Sequence, residues 1–200
     1  MKSTVLATSL IAATAGTASA ATFFNDLGTF LAATTTTTVE TFEDPRQVAA
    51  SVTLEDFTVS ETDGTNRISV GTPASFGFGI VSGSGVVSYD DNESSLLVFD
   101  DFSSPFTAFG LWLTTEFAAT VTVGGSVSSS FNLDAETPTF FGVSDTAALS
   151  SVSFDVSGFP GVEVDDVYTG NASVVPLPAA GVLMIGALGG LAALGRRKAA

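Results

Sequence analysis

The sequence predicts an all-β protein built as a two-sheet antiparallel sandwich. Three observations favour this fold class: short runs in which apolar and polar residues alternate, turn residues between those runs, and no sustained helical period. Several short strands at this spacing indicate a sandwich. Phenylalanine, with 17 copies against one Trp and two Tyr, is the expected main core residue. Since the chain has no cysteine, this core has to stabilise the fold without disulfides.

The alternating runs define the strands in order along the chain. A continuous apolar run, Leu96–Phe99, predicts a strand buried on both faces. Gly124 and Gly125 predict a tight hairpin turn. The predicted runs are 52–54 and 57–59 on either side of a bend, then 68–70, 76–80, 96–99, 106–113, 120–123, 127–133, 152–156 and 162–167.

Two alternatives remain open at the start of the mature chain. The segment 21–34 fits either a first strand or a short helix. Its apolar residues Phe23, Leu27 and Phe30 recur at helical spacing. The threonine run at 34–38 is interpreted as an extended, β-prone connector.

The first 20 residues have the three parts of a secretory signal peptide. Lys2 supplies the positive end, residues 5–15 form an apolar core, and Ala18 and Ala20 mark an A-x-A cleavage site. We therefore expect the mature chain to begin at Ala21 and to be exported.

The C-terminal residues have the pattern of a sorting signal: a short motif, an apolar segment at 179–195 and a basic tail at 196–200. The apolar segment carries no charge, and as a helix it is about 24 Å long, which makes it a short membrane span. Prolines hold the motif extended, and the basic residues are expected to stay cytoplasmic. The motif residues are Val175, Pro176, Leu177, Pro178 and Ala179, and the basic residues are Arg196, Arg197 and Lys198.

This arrangement resembles the PEP-CTERM family of bacterial surface proteins, in its VPLPA variant. The resemblance implies that an exosortase, a membrane-embedded cysteine transpeptidase, recognises Val175–Ala179, and that the apolar tail is then discarded. The chain is the substrate of that chemistry because it has no cysteine of its own. The alternative is a plain membrane anchor that is never cut. We expect an inner-membrane-anchored precursor and a product at the cell surface or in the extracellular matrix.

These signals divide the chain into six parts. The parts are a signal peptide (1–20), an N-terminal segment (21–40), a β-sandwich domain (41–170), a stem with the sorting motif (171–178), a hydrophobic transmembrane segment (179–195) and a basic tail (196–200).

Charge excludes one class of partner. All 21 acidic residues fall within residues 21–174, against two arginines, Arg46 and Arg67, so this part of the chain carries a formal charge of −19. Nucleic acid is excluded because its phosphates require a basic surface. The same charge favours solubility and cation binding.

Four motifs in the second half of the chain carry a further resemblance. Their order is similar to that of jelly-roll domains found in PEP-CTERM proteins, which are themselves similar to galactose-binding and other carbohydrate-binding sandwiches. The resemblance covers roughly residues 85–170 and implies a jelly roll for the sandwich. The motifs are Ala108–Leu113, Phe140–Ser144, Leu149–Phe154 and Val164–Val167.

Adjacent acidic residues lie near both ends of the predicted sandwich. Carbohydrate-binding jelly rolls commonly hold a structural Ca²⁺ between the start of the domain and its last strand. By that resemblance we predict one Ca²⁺ shared by Glu43, Asp165 and Asp166, since calcium is bound by carboxylate oxygens. The alternative is that these residues are exposed strand ends that keep the sheet edges soluble.

Aromatic side chains are the candidates for stacking on sugar rings: Trp112, Tyr89 and Tyr168. The two-residue period of a strand places Trp112 on the face opposite Leu111 and Leu113. If those leucines face the core, Trp112 faces outward. The alternative is that Trp112 lies in the core.

The absence of His and Cys excludes a Ser-His-Asp triad, a Cys-His pair and a His-based zinc site. A pair of carboxylates remains as an enzymatic route, and the sequence marks no two of them as facing one cleft. We therefore predict a non-catalytic, exported structural or adhesive protein associated with exopolysaccharide or biofilm. The competing functions are a specific carbohydrate-binding module and a carboxylate-dependent enzyme acting on polysaccharide.

Overall fold

The structure is a computed structural model, and it describes residues 21–62, 68–74, 77–89, 96–155 and 161–173. The predicted signal peptide, sorting motif, transmembrane segment and basic tail lie outside the described residues. Within the described residues, no helix combines the length and the apolar character needed to cross a membrane.

One short helix and fourteen strands make up the regular structure of the described chain. In chain order they are β1 (Thr22–Phe24), α1 (Leu27–Ala33), β2 (Thr34–Glu40), β3 (Gln47–Ala49), β4 (Ser51–Thr53), β5 (Thr58–Glu61), β6 (Ile68–Gly71), β7 (Val86–Tyr89), β8 (Leu96–Asp100), β9 (Ala108–Thr115), β10 (Ala119–Gly125), β11 (Ser129–Leu133), β12 (Thr139–Ser144), β13 (Ser151–Asp155) and β14 (Val162–Ala172).

The strands form two antiparallel sheets, which confirms the predicted sandwich. The eight-stranded sheet has the order β1-β12-β9-β14-β7-β6-β3, with β2 paired to β14 as well. The six-stranded sheet has the order β11-β10-β13-β8-β5-β4. From β7 to β10, and again from β11 to β14, consecutive strands alternate between the sheets, as in a jelly roll.

The core lies between the two sheets and is rich in phenylalanine, as predicted. Phe99 of β8 packs on Phe109 of β9 with ring centroids 5.3 Å apart, and Phe154 of β13 meets Phe141 of β12 edge-on at 5.4 Å. All four rings are buried. Each such side chain stabilises the fold by about 1.5–3 kcal/mol, so these contacts between the sheets are the main reason why the sandwich closes.

The outer face of the eight-stranded sheet is partly covered by α1. Asp26 caps the helix by accepting a hydrogen bond from the Thr29 N–H at 2.8 Å. The helix buries Phe30 against the sheet, directly above the paired glycines Gly110 and Gly142. A Cβ on Gly142 would lie 2.7 Å from the Phe30 ring, so the two glycines provide the space that the helix occupies.

The segment 21–34 contains both of the predicted alternatives, a strand followed by a helix. The threonine run forms β2, which pairs with the C-terminal half of β14. The eight-stranded sheet includes β1 and β2, which precede the predicted domain boundary at residue 41. At its other end, β14 extends into the predicted stem and ends at Ala172.

Most of the predicted strands are confirmed, with two corrections. The hairpin around Gly124 and Gly125 joins β10 to β11. The predicted strand 76–80 is wrong, because residues 77–80 form a loop. The strand at Leu96–Phe99 is present, but only Leu97 and Phe99 are buried, so it buries one face and not two.

Candidate functional site

Residues 77–85, which we name the strap, cross the outer face of β14. On that strand Val162 and Val164 point into the core between the sheets, while Glu163 and Asp165 alternate with them and point outward. Both carboxylates are nonetheless fully buried. The strap covers them, and its backbone supplies their hydrogen-bond donors.

Three carboxylates accept hydrogen bonds from backbone N–H groups at intervals along the strap. Glu163 accepts from Gly77 at 2.7 Å and from Gly79 at 2.6 Å. Asp165 accepts from Val81 at 2.6 Å and from Ser82 at 2.9 Å. At the far end, Glu43 accepts from Ser84 at 2.7 Å and from Gly85 at 3.1 Å, and the Ser82 hydroxyl donates to Asp166. Hydrogen bonds to ionised acceptors are about twice as strong as neutral ones, so the strap is held firmly.

Burial and hydrogen bonding shift the pKa values of two of these carboxyl groups in opposite directions. Burial raises the pKa of Asp165, although the N–H groups of Ser82 and Val81 partly offset that rise. The backbone N–H groups of Ser84 and Gly85 lower the pKa of Glu43, which is exposed. The environment therefore favours the ionised form of the exposed Glu43 and disfavours the ionised form of the buried Asp165.

The residues predicted to share a calcium ion serve the strap instead. Glu43, Asp165 and Asp166 all accept hydrogen bonds from it, at different points along its length. No group of three or more acidic side chains in the described ranges is arranged to hold a metal ion. The calcium hypothesis therefore stays a prediction. In the structure these carboxylate oxygens accept hydrogen bonds from the strap.

The predicted stacking residues differ in their accessibility. Leu111 and Leu113 are buried in the core, so Trp112 faces the opposite side of the sheet as predicted, but there it is half-buried beside α1 and packs edge-on against Phe140 at 5.4 Å. Tyr168 is buried in the same cluster, so its ring offers no open face, which corrects the prediction. Tyr89 ends β7, and its side chain is outside the described set.

The polar groups of Trp112 and Tyr168 lie near each other without forming a hydrogen bond of standard geometry. Burial, followed by the negative charge of Asp166, raises the pKa of Tyr168. The Trp112 indole N–H is close enough to the Tyr168 hydroxyl to oppose that rise, but it makes no hydrogen bond of standard geometry with any described residue. The two rings are therefore packed as part of the α1 cluster rather than presented to a ligand.

A cleft at the edge of the sandwich was not predicted. This edge cleft lies where β1, β11 and β12 meet, and its volume is about 530 Å³, within the range of small-ligand sites. Phe131 stacks on Phe141 at 5.2 Å with 22° between the ring planes, and Phe23 is 40% exposed. The cleft is lined by Phe23, Phe24, Asn25, Ser129, Ser130, Phe131, Asn132, Thr139, Phe140 and Phe141.

Polar groups in the edge cleft are neutral. Ser130 and Asn132 alternate with Phe131 along β11, and on the outer face of that sheet the Asn132 side-chain oxygen accepts a hydrogen bond from Thr120 at 2.7 Å. Among the residues that line the cleft, none has a titratable side chain. Sequence reasoning missed this cleft because its walls come from segments more than 100 residues apart, Phe23–Asn25 and Ser129–Phe141, and no local motif marks either of them.

Comparisons with known proteins show structural likeness without sequence relationship. No family model and no curated protein matches this sequence. A family 29 carbohydrate-binding module from Piromyces equi is similar in structure at 11% identity, over 66% of this chain and 95% of that chain, with a TM-score of 0.40. The module CsCBM6-3 from Clostridium stercorarium, in complex with cellobiose, is similar at 16% identity, over 62% and 95% of the two chains, with a TM-score of 0.35. TmCBM61, in complex with beta-1,4-galactotriose, is similar at 14% identity, over 58% and 89%, with a TM-score of 0.37.

Proposed function

We propose that this chain is an exported, non-catalytic surface or matrix protein that holds polysaccharide in the edge cleft. One observation carries the proposal: the cleft combines accessible phenylalanine rings with amide and hydroxyl groups and has no titratable side chain in its lining. Sugars have an apolar C–H face and a rim of hydroxyl groups. The rings fit the face, and the neutral polar groups fit the rim.

The arrangement of the carboxylates supports a role without catalysis. Hydrolysis of a glycosidic bond needs two carboxyl groups that face one site across about 5–10 Å. Here Glu163 and Asp165 are covered by the strap and bind its backbone, and the edge cleft has no acidic side chain in its lining. A polysaccharide in the cleft would therefore be bound and not cleaved.

Alanine substitution of the cleft rings tests the binding site. We expect Phe23→Ala and Phe131→Ala each to weaken binding to a retained polysaccharide by about fivefold or more, since truncating an aromatic anchor typically costs more than 1 kcal/mol. The matched control is Phe117→Ala, because Phe117 is 55% exposed but does not line the cleft. Binding is measured by affinity electrophoresis in gels that contain the polysaccharide.

Two results would contradict this placement of the site. Equal losses in Phe131→Ala and Phe117→Ala would indicate a nonspecific effect of exposed rings. Unchanged binding in both cleft variants would place the polysaccharide elsewhere on the molecule. Circular dichroism of each variant shows whether the sandwich has folded.

Export and sorting are proposed from the terminal segments of the sequence. The signal peptide before Ala21 and the motif Val175–Ala179 support an exported precursor that an exosortase-type transpeptidase processes. We expect the intact mass of the protein from its host to match a chain that starts at Ala21 and ends within the motif, with any added mass located there. A mass that still includes residues 181–200 would mean that the tail is a simple anchor, and the sorting proposal would then fail.

A further inference from the structure

The edge cleft lies far from the described positive charge of the molecule. Arg46 is the one basic side chain in the described ranges, and it directly precedes β3. In the eight-stranded sheet β3 and β1 are opposite edges, separated by five strands. At about 4.8 Å per strand spacing, Arg46 is roughly 29 Å from the cleft, beyond the screening length of about 10 Å at moderate salt.

Negative charges lie next to the cleft along the chain. Asp26 directly follows Asn25, and Asp134 lies two residues beyond Asn132. Both aspartates are exposed. They belong to a region, residues 21–174, whose side chains carry a formal charge of −19, so negative side chains outnumber positive ones around the cleft.

We propose that the edge cleft selects uncharged polysaccharide and excludes polysaccharide that carries carboxylate, sulfate or phosphate groups. This inference rests on the proposed function of the cleft. An anionic sugar would lose hydration against Phe23 and Phe131 without gaining a cationic partner from the lining. A neutral sugar loses only hydroxyl hydration, which polar lining groups such as the Asn25 amide and the Thr139 hydroxyl can replace.

Pairs of polysaccharides with the same backbone and different charge test this selectivity. The probes are hydroxyethylcellulose with carboxymethylcellulose, dextran with dextran sulfate, and fully methyl-esterified polygalacturonate with polygalacturonate. We expect the full chain, purified in detergent, to bind the neutral member of at least one pair at least about tenfold more tightly than its anionic partner at low salt. Added NaCl should reduce that ratio by screening the repulsion of the anionic partner.

A charge variant locates the source of the selectivity. Asn25→Lys places a cation in the cleft lining and should strengthen binding of the anionic member relative to the unaltered chain. The matched control is Thr53→Lys, because Thr53 is exposed on β4, the edge of the six-stranded sheet opposite β11. An equal gain in both variants would show that net charge, and not the lining of the cleft, sets the preference, which would overturn the inference.

The outcomes separate this inference from the proposed function. Equal or tighter binding of the anionic member, lost in Phe131→Ala, would overturn the selectivity and leave the cleft as a polysaccharide site. No binding to any of the six probes, with a folded sandwich, would count against the proposed function itself. If Phe131→Ala kept the preference for the uncharged polysaccharide, the selective site would lie outside the cleft, which would overturn the inference.

Discussion

At the scale of single residues, the most unusual feature is a pair of fully buried carboxylates that accept hydrogen bonds from backbone N–H groups. Glu163 and Asp165 are both 0% exposed. An isolated buried charge is very costly, so it persists only where other groups replace its hydration. Here backbone N–H groups of the strap do so, with donor–acceptor distances of 2.6–2.9 Å. The side chains thus act as fixed acceptors for the chain itself.

Asp100, at the end of β8, is a residue whose charge opposes folding. Burial and the neighbouring charge of Asp101 raise its pKa above the ordinary value of 3.8. Because the pKa is higher in the folded than in the unfolded chain, its contribution to stability is fully present below pH 3.8 and is lost as the pH rises through the folded-state value. We expect Asp100→Asn to raise the Tm at neutral pH and to leave it nearly unchanged below pH 3.8.

Thermal unfolding followed by circular dichroism at several pH values checks this prediction. The control is Asp134→Asn, which removes an exposed carboxylate from the connection after β11. If both variants raised the Tm equally at neutral pH, the gain would come from the lower net charge of the molecule and not from the local environment of Asp100.

At the scale of elements, the strap is a segment whose glycines permit close contact with β14. A Cβ on Gly79 would lie 2.6 Å from the Glu163 Cβ and 3.1 Å from the Thr114 Cβ, so no larger residue fits without displacement. The alternating sequence around Phe78 and Ile80 suggested a strand, but in the strap the backbone N–H groups of Gly77, Gly79 and Val81 donate to carboxylate side chains of β14. The alternation of apolar and polar side chains predicts a strand, but it carries no information about which groups accept the backbone hydrogen bonds.

Gly79→Ala should displace the strap from Glu163. We expect the free energy of unfolding to fall by about 1–3 kcal/mol, as for other overpacked sites. Trp112, the only tryptophan of the chain, pairs with Asp165 in the sheet register, so its fluorescence should report the movement. Ile80→Ala is the control, since Ile80 is an exposed strap side chain. A Gly79→Ala protein as stable as the unaltered chain would contradict the close packing.

At the scale of the whole molecule, the sequence predicted the architecture better than the site. Alternation along Val152–Phe154, and of Val162 and Val164 in β14, identified strands because the apolar side chains share one face, which packs into the core between the sheets. The edge cleft was not predictable in this way, since Phe23 and Phe131 come together only when β1 and β11 take their places at adjoining sheet edges. The sequence marked Glu43, Asp165 and Asp166 as calcium ligands, which stays a prediction; the backbone N–H groups that bind Glu43 and Asp165 carry no sequence signature.

The strap also ties distant parts of the chain together through hydrogen bonds. It lies between β6 and β7, and it binds Glu43 near the start of the sandwich and Asp165 on the last strand. Because donors already occupy these oxygens, we expect the Tm to change by less than about 2 °C between excess EGTA and millimolar CaCl₂. A rise of many degrees with CaCl₂ would instead favour the shared calcium ion of the sequence prediction.

The pairing of β1 with β12, and of β2 with β14, has a consequence for the order in which the molecule can form. The earliest strands to leave the ribosome find their neighbours only among the last strands to be made. Such non-local pairing gives a high contact order, which slows folding. Slow folding suits a chain that is proposed to cross a membrane through a narrow channel, because the chain stays unfolded until its last strand has been made.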